Sequence, residues 1–303
     1  MIGVVAHDAG GAEIISSHIR QQGLQCSYAL EGAARAVFAR KLGQVESLPL
    51  EQLIASCDWL LCGTSFLSDL EWRAIGLARQ AGKRSVAVLD HWVNYRQRFL
   101  RHGGWHFPDE VWVGDALGAQ LAAGDLPEVK ASLVPNAYFK DIQQELGAVA
   151  APLRCKDAGI GILYVCEPLR EDGLALYNDP LFWGYTEEDA LRYFLSHLSC
   201  LGSRIERIVI RPHPQESRDK YQWAVDEFDL PIVTGENRTL LEQIVASDVV
   251  AGCATMAMVV GLLAGKRVVS CIPPGGKTIR LPHPEIEDML KLMAASDEKQ
   301  GAA

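Results

Sequence analysis

The sequence predicts an α/β protein with two parallel β-sheets, each covered by helices. Short apolar runs alternate with amphipathic stretches along the 303 residues, which is typical of βαβ units with right-handed crossovers. This alternation lapses near the middle of the chain and then starts again. The length is enough for two domains of ordinary size. We therefore predict one domain over residues 1–145 and a second over residues 157–303.

The first half begins with a predicted strand, because Ile2–Ala6 is a continuous apolar run of the kind found in central parallel strands. A glycine-rich turn follows it, and an amphipathic helix is predicted from about Ala12 to Gln22. The same order of strand, turn and helix then repeats. Further strands are predicted at 26–30, 58–62, 85–89, 110–113 and 130–134, and further helices at 33–41, 50–56, 68–80 and 115–123.

A linker is predicted over residues 143–157, because this stretch has little periodicity and contains small residues before Pro152. After it the strand pattern resumes, and residues 168–185 form a polar and aromatic loop. Strands are predicted at 159–166, 207–211, 231–233, 248–251 and 267–271. Helices are predicted at 187–200, 239–246, 256–264 and 284–293.

The composition excludes several classes of protein. A net charge of −9 and a pI near 5.4 disfavour non-specific binding to nucleic acid or to membranes. The N-terminal residues lack the basic and apolar regions of a signal peptide, and no stretch approaches the ~20 apolar residues of a membrane helix. None of the eight cysteines forms a CxxC pair, so we expect buried thiols and no metal site. We therefore expect a cytoplasmic protein.

Residues that directly follow the strands are the candidates for function, because open parallel sheets bind ligands beyond the carboxyl ends of their strands. His7, Asp8, Gly10 and Gly11 follow the first strand. The glycines allow a close approach of a ligand to the backbone, and Asp8 or His7 is a candidate general base. The alternative is that the glycines make only the turn and Asp8 only caps the helix. The spacing is not GxGxxG, which disfavours a standard dinucleotide site.

Two more groups of candidates follow later strands of the first half. Asp90, His91 and Trp92 combine two titratable side chains with an aromatic ring that suits stacking on a sugar or a base. A buried histidine in the core is the alternative for His91. Ser65 follows the strand at 58–62, where it either lines the ligand site or caps a turn.

In the second half, the most specific signal is Arg211-Pro212-His213-Pro214. Two prolines stiffen this loop and present His213 at a strand end, while Arg211 supplies a cation that suits phosphate. The alternative is a rigid loop whose histidine bonds only the backbone. Gly252 and Thr255 open an apolar helix at which a phosphate can meet free N–H groups. Weaker candidates for contacts with ribose, base or sugar are Glu167 and Glu236.

The stretch from Ile208 to Ser270 resembles the nucleotide-binding half of GT-B glycosyltransferases. The shared order is a strand ending in a His-Pro loop, the pair Leu240-Leu241, the run from Ala246 to Gly252, a helix start of small residues, and the run from Ala264 to Ser270. Similar runs occur in polysaccharide-building transferases, in enzymes using CMP-linked sugars, and in nucleotide-sugar 2-epimerases and hydrolases. The histidine of the loop and the hydroxyl residue at the later helix start contact the nucleotide phosphate in those groups, which implies that role for His213 and Thr255.

The resemblance implies two Rossmann-like domains whose parallel sheets face across a cleft, in the GT-B manner. It places the acceptor in the first domain, with a catalytic base after the first strand, a position that Asp8 and His7 match. His91 is the third candidate for a catalytic residue. The acceptor side would comprise Gly10, Gly11, Asp90, Trp92 and Ser65. The nucleotide side would comprise Arg211, His213, Thr255, Glu167, Gly252 and Glu236.

The predicted function is therefore metal-independent transfer of a sugar from a nucleotide-sugar donor to a hydroxyl acceptor, as in glycan or polysaccharide biosynthesis. The nucleotide sugar is a co-substrate, no further cofactor is expected, and the acceptor is a small molecule or a glycan. A homodimer is compatible with this prediction, whereas a nucleic-acid partner and a transmembrane segment are not expected. A nucleotide-sugar hydrolase or 2-epimerase on the same fold is the first alternative, and a non-catalytic nucleotide-binding protein is the second.

Overall fold

The computed structural model describes residues 1–150, 159–202, 204–277 and 281–301 of the chain. The chain divides into two compact units, one from Met1 to Asp141 and one from Ile142 onwards. Each unit contains one six-stranded sheet in which all neighbouring strands are parallel. The carboxyl ends of the strands in a unit therefore lie at one edge of its sheet.

The sheet of the first unit has the strand order β2-β1-β3-β4-β7-β8, and a two-stranded antiparallel hairpin, β5-β6, precedes β7. The strands are β1 (Ile2–Ala6), β2 (Cys26–Leu30), β3 (Trp59–Cys62), β4 (Ser85–Leu89), β5 (Leu100–Arg101), β6 (Gly104–Trp105), β7 (Glu110–Val113) and β8 (Lys130–Leu133). The helices are α1 (Ala9–Gln22), α2 (Ala34–Leu42), α3 (Leu50–Ser56), α4 (Leu70–Gln80), α5 (Ala116–Asp125) and α6 (Ala137–Ala148). Successive strands after β1 add on both sides of it, so the direction of winding reverses between β1 and β3.

The sheet of the second unit has the order β11-β10-β9-β12-β13-β14, which is the strand order of a doubly wound Rossmann fold. Its strands are β9 (Ile160–Val165), β10 (Ile205–Arg211), β11 (Ile232–Thr234), β12 (Val249–Gly252), β13 (Arg267–Ser270) and β14 (Ile286–Asp288). The helices are α7 (Leu169–Tyr177), α8 (Glu187–Ser196), α9 (Gln222–Glu227), α10 (Leu240–Ala246), α11 (Met256–Leu263) and α12 (Met289–Gly301). Here the winding reverses between β9 and β12.

Continuous apolar strands form the centre of the first sheet because both of its faces are covered. Val5 packs into the hydrophobic cluster on one face, together with Leu60 and the helices α3 and α4. Val4 packs into the cluster on the other face with α1 and α2. Successive side chains of a strand point to opposite faces, so a strand covered on both sides needs apolar residues at every position.

The structure confirms most of the predicted strands and helices, and it corrects the predictions for one loop, one linker, one helix and one turn. The predicted loop at 168–185 contains helix α7, and the predicted linker contains the end of α6, while residues 151–158 lie outside the described part of the chain. The predicted helix at 284–293 is strand β14 followed by α12, because residues 286–288 pair with β13. The turn predicted at Gly10 and Gly11 is already the first turn of α1.

Among the described residues, no helix has both the length and the apolar composition needed to cross a membrane.

Candidate functional site

Two crevices locate the candidate sites, one in each unit. In an open parallel sheet, ligands bind at the carboxyl edge where the winding reverses, because the helices on either side of that point diverge. In the first unit this point lies between β1 and β3, which end at Ala6 and Cys62. In the second unit it lies between β9 and β12, which end at Val165 and Gly252.

His7 and Asp8 form a contact pair at the crevice of the first unit. The His7 Nδ1 atom lies 2.6 Å from the Asp8 Oδ1 atom, and the two side chains are 23% and 30% exposed. Asp8 is the N-cap residue of α1, but its side chain makes no capping hydrogen bond. The Nε2 edge of the His7 ring packs against Gly32, where a Cβ atom would approach Nε2 to 2.7 Å. The pair therefore has the arrangement of an oriented imidazole beside an open carboxylate.

The Asp90 carboxylate lies very close to Gly10 and leaves no space there for a side chain. A Cβ atom at position 10 would lie 2.0 Å from the Asp90 Oδ2 atom, so the carboxylate occupies the space over the first turn of α1. Asp90 follows β4, and its Oδ1 atom accepts a hydrogen bond of 2.7 Å from Arg98. Arg98, whose side chain is 6% exposed, also donates to the Thr64 Oγ1 atom at 2.8 Å. One buried guanidinium thus joins the ends of β3 and β4.

Gly11 and Ser65 have structural roles. A Cβ atom at Gly11 would lie 3.1 Å from the Cα atom of Gly63, so α1 packs closely against the end of β3. Ser65 is 3% exposed, and its Oγ atom accepts hydrogen bonds from the N–H groups of Leu67 and Ser68 at 3.0 and 3.1 Å. This is the turn-capping alternative that the sequence left open for Ser65.

His91 and Trp92 lie side by side after β4 and differ in exposure. Trp92 is 9% exposed, and its Nε1–H group donates to both carboxylate oxygens of Asp115, at 2.9 and 3.1 Å. Asp115 also caps α5 by accepting a hydrogen bond from the Gly118 N–H group. His91 is partly exposed and accepts the Trp92 N–H group at its Nδ1 atom, at 3.0 Å. Trp92 therefore anchors this segment, and His91 is its more accessible member.

Glu71 is a buried carboxyl group of the first crevice that the sequence did not indicate. It lies in the first turn of α4, is 3% exposed, and accepts the His7 N–H group at its Oε1 atom, at 2.8 Å. Burial raises the pKa of this carboxyl to about 7, against the lowering effect of hydrogen bonds from backbone N–H groups, including that of His7. Its position in an amphipathic helix gave no signal of this contact.

A polar cavity of the second unit lies at the His-Pro loop after β10. Its volume is about 330 Å³, and it brings together three predicted residues, Arg211, His213 and Glu236. The lining also includes Arg238, which follows the predicted residue Glu236 in the same segment, and Arg218, which no motif of the sequence indicated. Neither guanidinium makes a hydrogen bond or ion pair within the described ranges. The cavity is therefore polar and has cations available for an anionic ligand.

The His-Pro loop is held by a buried carboxylate rather than by its prolines alone. Glu216, with a side chain 2% exposed, accepts the His213 N–H group at 2.8 Å. The same carboxylate accepts hydrogen bonds from Lys220 and from the Tyr221 hydroxyl group, each at 2.8 Å. Lys220 also pairs with Glu187 of α8. His213 is thereby fixed through its backbone, and its ring stays partly exposed at the cavity.

Arg211 and Glu236 are partly committed to contacts within the second unit. The Arg211 Nη1 atom donates to the Gln243 Oε1 atom at 2.6 Å and to the Arg238 carbonyl group at 3.0 Å. Glu236 forms an ion pair with Arg207. These contacts tie the loop after β11 to β10, so they shape the wall of the cavity.

The crevice of the second unit is occupied by a carboxylate. Glu167 follows β9, and its Oε1 atom accepts the Ala254 N–H group at 2.7 Å, just before α11. Burial raises the pKa of Glu167 to about 7, against the lowering effect of the Ala254 and Thr255 N–H groups. Thr255 is the N-cap residue of α11 and accepts the Ala257 N–H group at 3.3 Å. Glu167, Thr255 and Gly252 are thus brought together, apart from the residues that line the 330 Å³ cavity.

Gly252 is required by the packing of β12 on β9. A Cβ atom there would lie 2.9 Å from both the carbonyl oxygen and the Cγ2 atom of Val165. The close approach is therefore to the neighbouring strand, and it brings the start of α11 within reach of Glu167.

Two six-stranded parallel sheets of this kind in one chain give a fold of the GT-B type, which solved structures share. A putative UDP-N-acetylglucosamine 2-epimerase from Listeria monocytogenes has a similar structure, with a TM-score of 0.63 and 11% identity over 99% of this chain and 87% of that one. The UDP-GlcNAc 2-epimerase from Methanocaldococcus jannaschii has a TM-score of 0.60 and 9% identity over 98% of this chain and 91% of that one. S. aureus MnaA in its co-structure with UDP has a TM-score of 0.59 and 12% identity over 98% of this chain and 87% of that one. No family model and no curated protein matches the sequence.

Proposed function

We propose that this chain is a metal-independent glycosyltransferase that moves a sugar from a nucleotide-sugar donor to a hydroxyl acceptor. The observation that carries the proposal is the 330 Å³ cavity at the carboxyl edge of the second sheet, where His213 and three arginines line one space. Nucleotide sugars carry a diphosphate or phosphate group, and guanidinium groups bind such anions through paired hydrogen bonds. The GT-B type of fold supports the same substrate class.

The cations of the cavity have separate tasks in this proposal. Arg218 and Arg238 are the guanidinium groups with no side-chain partner in the described residues, so they are available to bind the phosphates. Arg211 holds the loop that carries Arg238, through its contact with the Arg238 carbonyl group. Charge that develops on the departing phosphate is stabilised by these fixed cations, a task that needs no metal.

Asp8 is the proposed general base. Its carboxylate is partly exposed at the crevice of the first unit, and one oxygen is taken by His7. Because the Nε2 edge of His7 packs against Gly32, the exposed Asp8 carboxylate is the better placed acceptor of a hydroxyl proton. His7 orients that carboxylate. His91, the accessible residue beside Trp92, is assigned to acceptor binding.

A nucleotide-sugar 2-epimerase or hydrolase is the second candidate. The solved structures that share the fold with TM-scores of 0.59 and above include proteins named as UDP-GlcNAc 2-epimerases, which favours this alternative. The same phosphate-binding cavity serves each reaction, because transfer, hydrolysis and epimerisation differ in what happens at the sugar.

Nucleotide binding is the first test. We expect one of UDP, CMP, GDP, dTDP or ADP to raise the melting temperature, because a ligand that binds only the folded state stabilises it by mass action. The variants Arg218→Ala and His213→Ala should lose this shift. Arg192→Ala is the matched control, because Arg192 pairs with Glu227 on an exposed surface and does not line the cavity. Absence of a shift with every nucleotide and nucleotide sugar would contradict the proposal.

Product analysis then separates the candidates. Consumption of the donor sugar only when an acceptor is present supports transfer. Release of free sugar from the donor alone identifies a hydrolase, and formation of an epimeric nucleotide sugar identifies an epimerase. Binding without turnover under every acceptor tested identifies a non-catalytic nucleotide-binding protein.

A further inference from the structure

The Glu71 carboxyl group lies directly behind the His7–Asp8 pair and takes no part in the proposed reaction. It extends from the first turn of α4 to the end of β1, where its Oε1 atom accepts the His7 N–H group at 2.8 Å. Its Oε2 atom is fully buried and has no hydrogen-bond partner in the part of the chain that the structure describes. One oxygen of this carboxyl thus accepts a hydrogen bond from the backbone of the His7–Asp8 pair, and the other has no hydrogen-bond partner in the described residues.

The surroundings of Glu71 favour its neutral form. The titratable or charged groups that face it are His7 and Asp8 after β1, the buried thiol of Cys62 at the end of β3, and Arg101 of β5. Arg101 donates to backbone carbonyl groups and forms no ion pair with Glu71. A buried ionised carboxylate that is bonded only by backbone N–H groups and has no salt-bridge partner is costly, whereas a neutral one costs much less.

Three other carboxylates near α4 have partners elsewhere. Asp69, the N-cap residue of α4, lies 3.6 Å from the His102 Nε2 atom. Asp90 after β4 is bound by Arg98, at 2.7 Å. Glu51 of α3 pairs with Arg73 on the exposed side of α4, at 3.3 Å. The negative charge that affects Glu71 is therefore that of Asp8, and it further disfavours ionisation.

We propose that Glu71 is a positioning residue of the His7–Asp8 pair, acting through the His7 peptide, and that the protonation of its carboxyl sets the pH range in which the pair works. The inference rests on the proposed function, in which Asp8 is the base. While Glu71 is neutral, Asp8 carries the only carboxylate charge shared between Glu71 and the His7–Asp8 pair, and Asp90 is paired with Arg98. When Glu71 ionises, a second negative charge appears behind Asp8, and the hydrogen bond to the His7 N–H group becomes charge-assisted. Both changes reach the pair without any contact between Glu71 and substrate.

Burial of Glu71 places this ionisation close to neutral pH, because the pKa of the group is raised to about 7. We therefore expect kcat against pH to contain a step near pH 7 that belongs to Glu71. The KM for the donor should change little across that step, because the nucleotide is assigned to the second unit. A residue that only stabilises the fold produces no such step.

The first experiment uses the protein alone and does not depend on the proposed activity. Glutamate labelled with ¹³C at the carboxyl carbon and histidine labelled with ¹⁵N in the ring are followed by NMR between pH 5 and pH 9. The Glu71 signal is the one lost in Glu71→Gln, and the His7 signals are those lost in His7→Gln. We expect the Glu71 signal to titrate near pH 7 and the His7 ring to shift at the same pH. The component of the His7 shift that follows the Glu71 titration should vanish in Glu71→Gln and persist in Glu51→Gln, the control for an exposed glutamate of α3.

The second experiment measures kcat and KM against pH for the same variants, with the donor identified by the binding screen. Glutamine keeps an oxygen acceptor for the His7 N–H group but cannot ionise, so Glu71→Gln should retain kcat within about threefold at pH 6 and lose the step near pH 7. Glu71→Ala also loses the acceptor for the His7 N–H group, so it should lower kcat at least tenfold. If the alanine variant does not fold, the pH profile of Glu71→Gln is sufficient for the test. A Glu71 signal that titrates below pH 5.5, or a His7 response unchanged in Glu71→Gln, would overturn the inference. Failure of the proposed function alone would appear as no turnover while the NMR coupling is intact.

Discussion

Replacement of Gly10 by alanine should destabilise the protein, although glycine to alanine in a helix is ordinarily favourable. The new Cβ atom would lie 2.0 Å from the Asp90 Oδ2 atom, so the carboxylate must withdraw by about 1 Å to reach the 3.0 Å limit of real contacts. That movement breaks or lengthens the 2.7 Å bond to Arg98, whose side chain is 6% exposed. Complete loss of this ion pair would cost about 3–5 kcal/mol, which is an upper bound because both charged groups remain. A gain of up to about 1 kcal/mol from helix propensity offsets part of this, so the net cost should be at most about 2–4 kcal/mol.

Denaturant unfolding of four proteins measures this effect: wild type, Gly10→Ala, Asp90→Ala and the double variant. The cost of Gly10→Ala should largely disappear in the Asp90→Ala background, because the clashing carboxylate is gone. Gly124→Ala in α5 is the control, since a Cβ atom there meets no heavy atom within 4 Å, and it should stabilise by about 0.4–1 kcal/mol. An equal cost of Gly10→Ala in both backgrounds would refute the argument from Asp90.

Three further predictions concern pH, the base and metals. Burial raises the pKa of Glu167 from 4.5 to about 7, so the free energy of unfolding should fall as pH rises from about 4.5 to about 7. Glu167→Gln should remove up to about 3 kcal/mol of that loss, which unfolding at pH 5 and pH 8 would detect. Asp8→Asn should lower kcat by about 10²–10⁴ with little change in donor KM, and full activity would exclude Asp8 as the base. Turnover should persist in EDTA, and a loss restored by a divalent cation would contradict metal independence.

Local sequence was enough to predict the strands that are covered on both faces. Ile2–Ala6 is a continuous apolar run, Ser85–Leu89 is apolar after its first residue, and they form β1 and β4 with the predicted bounds. A strand that is covered on both faces needs apolar residues at successive positions, so sequence and structure agree here. The GT-B resemblance in the second half likewise rests on short runs that coincide with β10, α10, β12 and β13.

Elements that depend on distant contacts were not predictable in this way. Helix α7 begins after Pro168 and contains Gly173, so its sequence suggested a loop. Glycine is needed at this position because a Cβ atom there would lie 2.6 Å from the Asp179 carbonyl oxygen, a contact that the sequence does not reveal. Strand β14 forms through pairing with β13, and nothing in the local pattern of residues 286–288 indicates that partner.

The same difference between local and distant contacts applies to the residues of the candidate site. The sequence placed His7, Asp8 and His213 at strand ends, since that requires only the order of strands and loops. It missed Arg98, which contacts Asp90 at a separation of eight residues and Thr64 at a separation of 34. Contacts of this kind depend on how the loops pack in three dimensions. The residues around an arginine in a polar stretch do not indicate which partners it will have.

The two crevices share a feature that bears on where a phosphate binds. In the first unit, the Asp90 carboxylate lies over Gly10 at the start of α1. In the second, the Glu167 carboxylate bonds the Ala254 N–H group at the start of α11. Each helix N-terminus, the usual site for a phosphate, is therefore already beside a negatively charged or titratable group of the protein itself.

A phosphate at α11 must consequently displace Glu167 or bind while Glu167 is protonated, and both options cost free energy at alkaline pH. The cavity at the His-Pro loop carries no such penalty, because Glu216 and Glu236 are already paired with Lys220 and Arg207. Arg218 and Arg238, which form no ion pair in the described residues, then meet the phosphate as cations. We therefore expect the cavity, rather than the start of α11, to be the primary anion site, so Arg218→Ala should weaken nucleotide binding more than Thr255→Ala does. Equal losses, or a larger loss for Thr255→Ala, would reverse that order.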